Sequence, residues 1–110
     1  MDETFVVTRD KRDPGTACIA GRVPRSCQAE LAGALSREAG RGLRRLDLTG
    51  LDALTAAAVE VLLVLAAEVE LELLVHAGGP LARAVHKFGL DSLVAVRDLP
   101  ADPQWVAASA

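Results

Sequence analysis

The sequence predicts a single α/β domain in the order ββαβαβαβα, with a mixed, mostly parallel sheet packed against helices. Three observations carry that prediction. From residue 43 onward, short β-branched or leucine-rich runs alternate with helical stretches, as strand–crossover–strand units do. The first two apolar runs are separated only by a charged segment ending in Pro-Gly, which reads as a hairpin turn. A chain of 110 residues, 51% of them hydrophobic, can build one modest core but not two.

Residues 4–8 (TFVVT) form the first strand, residues 9–15 (RDKRDPG) the turn, and residues 16–23 (TACIAGRV) the second strand. Pro24 then punctuates the chain and Ser26 stands where a helix cap belongs. Leu31, Ala34 and Leu35 give that helix one apolar face, and Gly40 and Gly42 end it. Residues 43–48 are a third strand with its charges early. The helix over residues 55–69 has Glu60 and Glu68 as its only charges, which predicts burial on most sides. Residues 71–77 read as a strand of the buried, parallel kind. Pro80 fits a first helical position, where its missing N–H costs nothing, and the helix over residues 81–88 stops at Gly89. Residues 93–96 are a final strand. Asp102-Pro103 then starts a short helix through residue 108, anchored by Trp105. No internal repeat, linker or low-complexity tract interrupts this order.

Composition removes several function classes. A net charge of −3 lacks the basic stripe of a nucleic-acid binder, and the cluster Arg41, Arg44 and Arg45 is not extended by its neighbours. The start Met-Asp-Glu-Thr is acidic where a secretory leader is basic. The longest uncharged run after Glu60 ends at Ala67, well short of the roughly 20 residues that span a bilayer. A cytoplasmic protein without direct membrane insertion is expected. Cys18 and Cys27 lack the paired spacing of metal ligands and read as small buried hydrophobes, with a disulfide as the lesser alternative. No metal site or cofactor is expected.

No catalytic residues are assigned. His76 closes a strand, and His86 lies on a helix with Arg83 and Lys87; neither stands at a spacing that suggests a relay. Gly78-Gly79-Pro80 lacks the Lys-Ser/Thr of a phosphate loop and reads as a tight turn. Arg83, His86 and Lys87 form either a solvated helix face or a small basic patch for an acidic partner.

Three places give the chain a resemblance to the STAS domain family, the module of bacterial anti-sigma factor antagonists. Ala20-Gly21-Arg22-Val23 is similar to the family's Gly-Glu-hydrophobic strand end, and Leu46-Asp47-Leu48-Thr49 to its "LDLS" strand end. Phe88-Gly89-Leu90-Asp91-Ser92-Leu93 resembles its "tGLdrlf" helix exit. The resemblance implies the same element order and a non-catalytic module that acts in transcription regulation by docking onto a protein. It places the family's Asp-Ser-x-Gly phosphorylation loop on Thr55-Ala56-Ala57-Ala58. Alanine has no hydroxyl, so Ala56 cannot accept the phosphoryl group. Thr55 is read as a helix cap, with a displaced phosphoacceptor as the second reading.

The expected partner surface is therefore Asp52, Thr55, Ala56, Ala57, Ala58 and Val59. Its partner is an anti-sigma factor of the kinase-like ATPase type. The alternative is an accessory structural subunit of a larger assembly, such as a lipid-transport ABC system. The alanine patch is either an exposed docking face or part of the core. If it is exposed, Ala57→Arg should abolish docking without unfolding the domain.

Overall fold

Asp13 reverses the chain between the first two strands. Its carboxylate accepts from the Gly15 N–H at 3.0 Å and from the Thr16 hydroxyl at 2.8 Å, and its carbonyl accepts from the Thr16 N–H at 2.9 Å. The computed structural model describes residues 4–100. The turn joins β1 (Phe5–Arg9) to β2 (Thr16–Gly21) as an antiparallel hairpin. The chain continues through α1 (Gln28–Ala39), β3 (Arg45–Leu51), α2 (Ala56–Glu68), β4 (Glu72–His76), α3 (Pro80–Lys87) and β5 (Ala95–Leu99). The five strands lie in the order β1-β2-β3-β4-β5, parallel from β2 onward. This is the mixed, mostly parallel sheet that the sequence predicts. The expected helix after Asp102, with Trp105, lies outside the described residues.

Burial alternates along the strands because the helices cover one face of the sheet. Ala17 and Ile19 of β2, Leu46 and Leu48 of β3, and Leu73 and Val75 of β4 are buried. They share one apolar core with Leu31 and Leu35 of α1, Leu62 and Leu65 of α2, and Leu81 and Val85 of α3. The opposite face carries charged side chains where β3 and β4 begin. There Arg45 pairs with Asp13 at 2.8 Å and Glu72 at 3.1 Å, and Arg97 reaches Glu72 at 3.5 Å.

Five expectations change. β4 is not buried on both sides: Glu72, Leu74 and His76 are half-buried on the polar face. Ser26 does not cap a helix; it lies inside a 3-10 turn (Arg25–Cys27) that precedes α1. β3 runs on to Leu51, because Gly50 and Leu51 keep pairing with Ala20 and Gly21 across a bulge. The last strand starts later, since Leu93 and Val94 donate back to the Leu90 carbonyl in a 3-10 turn (Leu90–Ser92). α2, expected to be buried on most sides, instead leaves one side in water, with Val64 63% exposed.

Gly21 fixes how β2 leaves the sheet. Its φ of +97° suits only glycine, and an added Cβ would collide with the Thr4 carbonyl oxygen. Gly21→Ala should destabilise the fold by about 3 kcal/mol or more, because strain and collision add. Gly42→Ala shares the positive φ, but its Cβ meets nothing within 4 Å. It should cost only about 1–2 kcal/mol. Urea unfolding of the two variants checks this, and equal losses would discount the collision.

Candidate functional site

The loop from β3 into α2 is held by main-chain and side-chain ties to the end of β2. The Asp52 N–H donates to the Gly21 carbonyl at 2.8 Å. Leu54 is buried and anchors the loop in the core. Thr55 then adopts an extended backbone and caps α2, its hydroxyl oxygen accepting from the Ala58 N–H at 3.2 Å. The same hydroxyl donates to the Val23 carbonyl at 2.6 Å. The cap expected of Thr55 is thus present, and the hydroxyl is engaged as donor and acceptor together.

A second tie lies one turn further along α2. Arg25 reaches the Glu60 carboxylate at 2.5 Å and the Gln28 side-chain oxygen at 3.1 Å, while the Gln28 amide donates to Glu60 at 2.8 Å. The Gln28 amide, and after it Arg25, hold the Glu60 carboxyl below its ordinary range. Arg22, Val23, Pro24 and Arg25 form one wall of a cleft of about 390 Å³, with Thr55, Ala56 and Ala57 opposite. The contribution of residues 22–25 rests on backbone carbonyls and a long arginine, for which sequence offers little signal beyond the Ala-Gly-Arg-Val strand end.

The predicted site residues divide sharply. Asp52 and Ala56 are exposed and Thr55 is half-buried. Ala57, Ala58 and Val59 point into the core, with 3%, 2% and 7% of their surface exposed. The alanine patch is therefore mostly core. Ala57→Arg would bury a guanidinium and cannot serve as a surface probe.

The other candidates fall elsewhere. Cys18 and Cys27 are free thiols, Cys18 beside Asp47 on the polar sheet face and Cys27 with its sulfur 3.2 Å from the Thr4 hydroxyl. Burial, and then Asp47, push the Cys18 thiol up. His86 does have a carboxylate beside it: its Nδ1 lies 2.9 Å from Asp91 in the turn after α3, a contact its sequence spacing did not suggest. Arg83, His86 and Lys87 are exposed. Among the described residues, no cluster of three or more His, Cys, Asp or Glu is placed to hold a metal ion, and no helix is long and apolar enough to cross a membrane.

No family model matches the sequence, and no curated protein matches it. The fold does match a solved structure. An anti-sigma factor antagonist from Mycobacterium paratuberculosis superposes with a TM-score of 0.69 over 96% of this chain and 92% of its own, at 14% sequence identity. The chain thus has the STAS-type fold that its sequence motifs suggested.

Two outcomes follow for the loop. Thr55→Val removes the cap and leaves the Val23 carbonyl without its donor, so it should cost about 1–2 kcal/mol, and Thr55→Ser should recover most of that. Chemical denaturation of the three proteins tests this. Glu60 has a depressed folded value, so its clamp is intact above the ordinary carboxylate range and is lost as pH falls through the lowered value. Melting temperatures of Glu60→Gln should therefore depend less on acid than those of the parent, and high salt should narrow the difference.

Proposed function

We propose that the chain is a non-catalytic regulatory module that docks onto a protein partner, as an anti-sigma factor antagonist does. The observation that carries this is the fold shared with such an antagonist over nearly the full length of both chains. The docking surface combines the exposed Asp52 of the loop with Thr55 and Ala56 at the cleft, and Arg22 and Arg25 across the cleft from these two. The partner is an anti-sigma factor of the kinase-like ATPase type.

This surface has no phosphorylation switch of the usual kind. The N-terminus of α2 offers free N–H groups and the positive end of the helix dipole, where a phosphate would be well held. Its exposed side chain there is Ala56, a methyl group. Thr55 is a poor substitute acceptor, because phosphorylation would displace both hydrogen bonds that seat the helix. The module therefore binds constitutively, and control lies with the partner's abundance or its own ligands.

Tagged protein purified from its native cells, with its companions identified by mass spectrometry, tests the partner class. A kinase-like ATPase or another sigma-factor regulator should co-purify, and a transporter complex in its place would overturn the reading. Ala56→Arg should lower the affinity of that partner by at least about tenfold, or 1.4 kcal/mol, while the melting temperature stays unchanged. Undiminished binding would remove residues 52–56 from the interface.

A further inference from the structure

The outward side of α2 departs most from what a surface helix in water presents. Leu63, Val64 and Ala67 are all exposed there, and the helix carries only Glu60 and Glu68 as charges. Leu63 leaves 38% of its surface in water and Val64 63%. Alongside, Ala29 and Ala32 of α1 are too small to fill the space between the helices. A groove of about 580 Å³ results, floored by Val61 and Leu65. From Glu60 to Glu68 it extends for about 12 Å at the helical rise, roughly two turns.

The groove is also electrically polarised. α1 and α2 are both crossovers between parallel strands, so they run in the same direction with their N-termini at one end. Arg25 lies at that end and Glu68 at the other, so side chains and helix dipoles reinforce each other. Glu60 is compensated by Arg25 and Gln28, whereas Glu68 makes no ion pair among the described residues.

We propose that this groove docks a helix of a second protein, laid antiparallel to α1 and α2. That helix has apolar side chains recurring every three or four residues and a lysine or arginine in its first turn, facing Glu68. Antiparallel placement sets its dipole against those of α1 and α2, and its apolar stripe covers Val64 at the groove wall. The α2 of a second copy fits poorly, because that helix has two glutamates and no basic residue. An anionic lipid surface would be repelled by Glu68. The inference rests on the α1–α2 face and is independent of the loop at residues 52–56.

The test uses the full chain, isotopically labelled, titrated by NMR with two synthetic helical peptides of about 16 residues. Both carry the same leucine stripe; one has lysines in its first turn and the other glutamates. Amide shifts should be confined to residues 25–36 and 60–68, with the lysine peptide binding at least about tenfold more tightly. Glu68→Lys should reverse that preference, Val64→Glu should abolish binding of both peptides, and Ala56→Arg should change neither. Binding of neither peptide, equal binding of both, or shifts elsewhere would overturn the proposal. So would concentration-dependent self-association that Val64→Glu removes, since the face would then belong to a second copy.

Discussion

Where β2 and β3 leave the sheet, their backbones approach so closely that side chains are excluded. A Cβ on Gly50 would lie 2.9 Å from that of Ala20 and 3.1 Å from the Ile19 carbonyl oxygen. Gly21, one residue beyond Ala20, takes a positive φ and offers its carbonyl to the Asp52 N–H. With both glycines in place, the two strand ends finish side by side. The loops that follow are then near enough for the Thr55 hydroxyl to bridge them. The geometry of the α2 N-terminus is thus inherited from backbone contact two residues inside the sheet, and the side chains it displays are secondary to it.

The single helix layer sets a second constraint. A parallel sheet ordinarily has both faces covered by helices. Here the face away from the helices is made tolerable by polar side chains at the start of β3 and β4, where Asp13, Arg45, Glu72 and Arg97 link the hairpin turn to β3, β4 and β5. Pairs this exposed contribute little net stability. Their effect is on register: a one-residue slip of β4 would send Glu72 into the core and Leu73 into water. The apolar face fixes the same register from the other side, so the two faces agree.

Much of the fold was legible because its signals are local. The Pro-Gly turn, the strand–helix alternation, Pro80 at the start of α3 and Gly89 at its end each express a backbone rule. Thr55 as the cap of α2 was readable on the same ground. The errors share a different origin. Residues 71–77 contain both Leu73 and Leu74, and only the one-sided helix layer shows that Leu74 faces away from the core. Thr49-Gly50-Leu51 resembled a strand exit, yet a bulge keeps it paired with β2. At Ala57, Ala58 and Val59, methyl groups suit a core as well as a docking face, so exposure was decided by tertiary packing alone. The Arg25–Gln28–Glu60 clamp joins residues over 30 positions apart and leaves no pattern in sequence.

The split within the alanine run bears on how such a surface can act. With Ala57, Ala58 and Val59 committed to the core, the first turn of α2 cannot rearrange without opening the domain. Its exposed part is rigid, small and uncharged, with Arg22 and Arg25 across the cleft from it. A rigid surface without a titratable or modifiable group at its centre gives a partner one fixed shape. Selectivity must then arise from the partner's fit to that shape and from the charges at its rim, which favour encounter more than affinity. The Arg25–Glu60 pair, bridged by Gln28, ties the start of α1 to α2 between this loop and the α1–α2 groove.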